Sequence, residues 1–127
     1  FMTRWFSRGM TSRALTEAPV VTFDRRDELY RQFLRHRTRR RLNPPTHHVP
    51  SSTEFVKAVQ LGLGWGVIPE LQVRHDIVGK GLVILDPAIT IDVPLYWQQW
   101  RIPSQALTTV AAAVRTGTLN ALRQCAR

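Results

Sequence analysis

One cysteine, Cys125, is all the chain carries. A single thiol closes no internal disulfide, so stability has to come from packing, and a reducing compartment, the cytoplasm, is expected. No apolar run reaches bilayer-spanning length, so no membrane partner is expected. The opening FMTRWFSRGM has arginines but no apolar segment behind them, so it is not expected to be a secretory signal. A first residue of Phe1 rather than Met is expected of a piece of a longer protein. His36, His47, His48 and His75 show neither the H-E-x-x-H pattern nor a cysteine at metal-ligand spacing, so neither a metal nor a cofactor is expected. There is no G-x-S-x-G elbow, and Ser51, His48 and Asp24 do not make a convincing triad, which argues against an enzyme. No internal repeat or low-complexity stretch is visible.

Acidic residues are scarce, nine against eighteen lysines and arginines, for a net charge of +9. Such a balance favours an acidic partner, nucleic acid among them. Eight of the eighteen lie between Arg25 and Arg41, and Arg35, Arg37, Arg39, Arg40 and Arg41 crowd an expected helix end and loop. Arginine there complements the helix dipole, and a charge run is commonly a solvated face. At 127 residues and 43% hydrophobic content, the chain has the material for one core, as one domain or part of one.

The organising stretch is Thr46 to Glu70, THHVPSSTEFVKAVQLGLGWGVIPE. Thr46–Val49 is β-compatible and Pro50 stops it. Ser51 opens S-S-T-E, a capping box in which its hydroxyl accepts a free helix amide and Glu54 reaches back. Phe55, Val56, Val59 and Leu63 repeat on one helical face. Gly62, Gly64 and Gly66 are expected to end that helix through the left-handed conformation. Trp65–Ile68 reads as a second strand, which makes a parallel βαβ unit. G-L-G-W-G imitates a dinucleotide fingerprint, but the order here is helix, glycines, strand, the reverse of what the fingerprint needs.

Around this unit, residues 1–10 read as irregular and basic, with Trp5 and Phe6 able to dock. Thr11 caps a short helix over 12–18, and Val20–Phe23 is a buried strand. Asp24-Arg25-Arg26-Asp27 resembles another capping pattern ahead of a helix over 25–36, with Leu29, Tyr30, Phe33 and Leu34 on one face. Residues 37–45 are a polar loop. Later, 70–76 is a short helix with Leu71, Val73 and Ile77 partly buried. Gly79-Lys80-Gly81 is a turn, Leu82–Leu85 a strand, and Asp92–Trp100 a longer strand that would set Trp97 and Trp100 on opposite faces. Pro103 opens a last helix to about Thr116, with Gly117 able to end it.

Helices alternating with short apolar strands predict an α/β fold with a mainly parallel sheet. Ligands of such sheets lie beyond the carboxyl ends of the strands. Asp24 and Asp27 follow one strand, and Pro50, Ser51 and Ser52 follow another. If both helix starts open on one edge, carboxylates on one side and hydroxyls with free amides on the other suit an amino acid. Plain capping is the competing use of all four polar side chains.

The runs APVVTFDRRDELYRQFL, HHVPSSTEFVKAVQLGLGWGVIPELQ and DVPLYWQQWR resemble the effector-binding domain of LysR-type transcriptional regulators, in their ArgP/LysG (chromosome initiation inhibitor) group. The resemblance covers roughly residues 1–116. It implies a periplasmic-binding-protein-like (type 2) fold, incomplete at its N-terminus. Residues 1–92 would be effector subdomain II, and 93–127 a returning strand and helix that pack on a first subdomain. It also implies a basic amino-acid effector, lysine or arginine, control of amino-acid export genes, and a homo-oligomeric parent that binds DNA through a segment not in this chain. Family effectors sit between the lobes. The positions that carry over are Asp24, Asp27, Pro50, Ser51, Ser52 and the wall near Trp65. The arginine-rich stretch 34–46 departs from the family pattern. A solute-binding lobe of an amino-acid transport system is the alternative, and an α/β enzyme fragment a weaker one; sequence upstream of Phe1 would separate them.

Overall fold

The computed structural model describes residues 1–77, 79 and 81–122, the side chains of 74–76 excepted. The expected turn at Lys80, the His75 ring and the Cys125 thiol lie outside the described residues. The chain divides into two units, residues 1–93 and 94–127.

In the first unit, helix α1 (Met2–Trp5) and helix α2 (Ser12–Glu17) precede strand β1 (Val20–Thr22). Helix α3 (Leu29–Arg37), strand β2 (Thr46–His48), helix α4 (Ser52–Gln60) and helix α5 (Glu70–Ile77) follow. The expected parallel pairing is present, with Val20 opposite Thr46, Val21 opposite His47 and Thr22 opposite His48. Its centre differs from the expectation. Trp65 pairs with Val20, not with β2. β1 is therefore the middle strand. The Val20 amide donates to Pro45 O at 2.8 Å on one side, and the Val21 amide donates to Trp65 O at 2.7 Å on the other. Only Trp65 joins the ladder; Gly66–Ile68 form no strand.

Successive side chains of a strand point to opposite faces, and β1 uses both. Val20 packs with Leu15, Ala18, Tyr30, Phe33, Leu34 and Trp65. Val21 packs with Phe55 and Ala58 of α4. Val20, Val21 and Thr22 are each at most 1% exposed, so both faces are covered, as parallel strands require. Burying Leu15, also 1% exposed, stabilises by roughly 1.5–3 kcal/mol.

Several expected elements change. Residues 2–5 are helical rather than irregular, and Phe6 at the helix end is buried in the first cluster. α3 begins at Leu29, not Arg25, because Asp24 and Asp27 hold residues 23–29 in a side-chain-bonded turn. Leu63 lies beyond α4 and is exposed. In α5, Val73 is buried but Leu71 is half-exposed. Residues 82–85 and 92–100 form no strand, since neither run has a partner strand among the described residues; Leu85 nonetheless packs against the first cluster.

Of the three glycines expected to end α4, only Gly62 is left-handed, with φ of 79°. Gly64 and Gly66 are required by close approach instead. A Cβ on Gly64 would lie 2.7 Å from Pro19 O, and one on Gly66 would lie 2.9 Å from the Phe55 ring.

The second unit is an extended segment and helix α6 (Gln105–Ala121), which runs past Thr116 and through Gly117. The Ser104 hydroxyl caps α6, accepting from the Leu107 amide at 3.4 Å. Tyr96 and Trp100 are 82% and 81% exposed, so the expected aromatic strand is here an open segment.

Candidate functional site

β1 and β2 run parallel and end together at the Thr22–His48 pair, with the Val49 amide donating to Thr22 O at 2.9 Å. Asp24 lies two residues beyond one strand end and Ser51 three beyond the other. Both helix-leading turns thus leave from the same carboxyl edge of the sheet.

The aspartates are held by backbone. Asp24 Oδ1 accepts from the Arg26 amide at 2.7 Å and the Asp27 amide at 3.1 Å. Asp27 Oδ2 accepts from the Phe23 amide at 3.0 Å, and its Oδ1 from the Leu29 amide at 3.0 Å. Bonds to backbone amides favour a charged carboxylate. Asp24 Oδ2 has no protein partner among the described residues. The capping role weighed against ligand contact is therefore real, and it leaves one oxygen open.

A cavity of about 290 Å³ opens at this edge. It is lined by Thr22, Asp24, Arg25, Asp27, Tyr30, Arg31, Asn43, Thr46 and His48. Arg31 is already engaged: its guanidinium donates to Glu28 Oε1 at 2.6 Å and to Tyr30 Oη at 2.9 Å, and stacks over the Tyr30 ring. The hydrogen bond to Tyr30 first, then the charges of Tyr30 and Glu28, raise its pKa above the usual arginine value. Arginine is charged throughout the physiological range anyway, so this adds no pH dependence there.

The remaining sequence-expected residues lie elsewhere. Ser51 is the N-cap of α4, accepting from the Glu54 amide at 3.5 Å. The return arm of the capping box is not made, since the Ser51 amide donates to Val49 O at 2.9 Å. Pro50, Ser51 and Ser52 are exposed and do not line the aspartate cavity. Ser52 instead lines a separate, more open concavity of about 560 Å³ with Glu54, Lys57 and Gln72. Trp65 is 4% exposed, and its ring packs on Phe33 at 5.3 Å. Its side chain is core rather than cleft wall, and its Nε1 is buried with no hydrogen-bond partner.

Sequence reasoning passed over Thr22, Tyr30, Asn43 and Thr46 as cavity residues, and weighed His48 only as a metal ligand or triad member. Aligning V-V-T against T-H-H as parallel strands places Thr22 beside His48, and that was the available signal.

Among the described residues no helix is long and apolar enough to cross a membrane. The profile of the LysR substrate binding domain matches residues 7–119. The regulator LysG of Mycobacterium bovis is 36% identical over 115 residues, covering 91% of this chain and 38% of that protein. The chain thus spans well under half the length of this curated relative. Among solved structures, ArgP from Mycobacterium tuberculosis superposes with a TM-score of 0.90 at 33% identity, over 98% of this chain and 42% of that one. Full-length LysG from Corynebacterium glutamicum, solved with bound effector Arg, gives 0.78 at 33% identity, over 87% of this chain and 38% of that one. With the profile spanning nearly the whole sequence and the same fold recurring in these relatives, the chain belongs to the LysR substrate-binding domain family.

Proposed function

We propose that this chain is the ligand-sensing part of a LysR-type transcriptional regulator that responds to a basic amino acid, lysine or arginine, and controls amino-acid export. One observation carries the reading. Two backbone-held carboxylates line one cavity at the carboxyl ends of parallel strands, in a chain that is 33% identical to an arginine-bound LysG. Asp24 and Asp27 receive the cationic end of the effector, with Asp24 Oδ2 as the free acceptor. Pro50 turns the chain on the same sheet edge, and the open amides and hydroxyls of Ser51 and Ser52 face the anionic end. Trp65 acts from behind, as the buried ring that fixes the far side of β1.

The mechanism involves no bond chemistry. Effector closing the site favours one domain arrangement, and that population shift changes how a cytoplasmic homo-oligomer presents its DNA-binding segments. Residues 93–127 serve as the returning strand and helix of the domain. The exposure of Leu95, Tyr96 and Trp100 fits a surface that packs on another subdomain.

The test is calorimetric titration of the full-length protein with arginine and with citrulline, its neutral isostere. Asp24→Asn keeps the Oδ1 acceptor that the turn needs and removes the charge. Asp24→Asn, and more strongly Asp24→Ala with Asp27→Ala, should weaken arginine binding about tenfold or more, as expected for a charge-assisted contact. Citrulline should change little. Equal loss for both ligands removes the charge-recognition idea.

A further inference from the structure

The cavity contains a side chain to which no role has yet been given. His48 ends β2 on the same rung as Thr22, and the two side chains meet with Thr22 Oγ1 2.9 Å from His48 Nδ1. Thr22 is 1% exposed and is the one buried polar residue in the described core. Its hydroxyl has a single proton and two acceptors in reach, His48 Nδ1 and the Asp24 carbonyl oxygen, the latter at 3.4 Å. The shorter contact lies in the normal hydrogen-bond range and the longer at its edge. The proton therefore belongs to the shorter contact. Nδ1 is then the acceptor of the neutral ring, and Nε2 carries the N–H.

Nε2 has no protein partner among the described residues. An N–H donor with nothing to meet, in a cavity shared with Asp24 and Asp27, cannot serve the cationic end of a ligand. It suits an acceptor. The aspartates fix the other end of the ligand as a cation, so the acceptor is the carboxylate of the same molecule. Arg25 lines the cavity as well and supplies positive charge of the right sign.

Resting on the amino-acid reading above, we infer that His48, oriented by Thr22, is a specificity-determining residue whose Nε2–H donates to the α-carboxylate of the effector. The first turn of α4 then need not hold that carboxylate alone. His48 distinguishes an amino acid from the corresponding amine, and Thr22 is a positioning residue that sets the tautomer.

The experiment uses the full-length protein, calorimetry, and two ligands, arginine and agmatine, which is arginine without its carboxylate. Wild type should prefer arginine. His48→Ala should weaken arginine about tenfold to a hundredfold, the range for a hydrogen bond to a charged group. Agmatine affinity should stay unchanged, so the preference collapses. His48→Gln, which can place an amide N–H near the Nε2 position, should recover part of the arginine affinity. Thr22→Ser should behave as wild type, and Thr22→Val should lose preference. Should Thr22→Val fail to fold, nitrogen resonances of labelled His48 supply the second measurement. They should report the Nε2–H tautomer and shift at Nε2 when arginine is added but not when agmatine is. If wild type binds agmatine too weakly to titrate, the same resonance decides. Equal losses for both ligands in His48→Ala, an unchanged arginine affinity, or an Nδ1–H tautomer overturns the inference while leaving the amino-acid reading intact. A wild-type protein that binds neither arginine nor lysine overturns both.

Discussion

Replacing Gly64 by alanine tests how closely the Trp65 segment is laid against β1. The new Cβ would sit 2.7 Å from Pro19 O and 3.1 Å from the carbonyl carbons of Pro19 and Val20. All three neighbours are backbone, so no side chain can rotate away. The crossing is pinned by the Trp65 amide donating to Pro19 O at 3.1 Å and the Val21 amide donating to Trp65 O at 2.7 Å. Ordinary contacts lie near 3.5 Å, so the segments must separate by about 0.5–0.8 Å. That strains two hydrogen bonds, each contributing about 1 kcal/mol net. Overpacking a tight site adds about 1–3 kcal/mol. Gly64→Ala should thus destabilise by about 2–4 kcal/mol, a large share of the roughly 5–15 kcal/mol that holds a domain folded. Urea unfolding of the full-length protein should show a lower midpoint at unchanged slope. Gly62→Ala is the control. Its Cβ meets only Phe1 Cβ, at 3.7 Å, and its cost of about 1–2 kcal/mol comes from φ of 79° alone. Were Gly64→Ala to lie within about 0.5 kcal/mol of wild type, or below Gly62→Ala, the close-approach account would be wrong.

Two further substitutions probe the surroundings. Leu15→Ala empties the centre of the larger cluster and should cost about 2–5 kcal/mol by the same unfolding assay. A loss under about 1 kcal/mol would mean that the site collapses freely, against its 1% exposure. The caps should rank by geometry: Thr11→Ala, which loses a 3.1 Å bond to the Ala14 amide, should cost about 1 kcal/mol, and Ser51→Ala, which loses one of 3.5 Å, about 0.5 kcal/mol. The reverse order would show that the long Ser51 contact is a poor guide to its strength.

Local chemistry was legible in the sequence wherever one residue decides it. Thr11 and Ser51 cap where their side chains predict, and β1, β2 and the faces of α3 and α4 follow from apolar spacing. The turn at Asp24–Asp27 was readable as capping chemistry, though not as a turn that delays α3 by four residues. The choice of partner was not legible. Trp65 pairs with β1 rather than β2, and no propensity or period encodes which neighbour a strand finds. The same limit explains 82–85 and 92–100, β-rich runs that bond no strand among the described residues. At the site, Asp24 and Asp27 were found by type and spacing. Thr22 and His48 were missed as a pair because their relation exists only across the rung. Trp65, expected near the cleft, is held inside by Phe33, which sequence distance hides.

The central position of β1 also sets a schedule for synthesis. Its two hydrogen-bonding neighbours are both made after it, β2 first and Trp65 later. At roughly 5–20 residues per second, Val20 waits about 2–9 s on the ribosome before Trp65 exists. For that interval Val20, Val21 and Thr22 are a short apolar strand with open edges, the condition under which nascent chains attract chaperones or one another. The middle of the finished sheet is thus the part of the newborn chain most in need of protection.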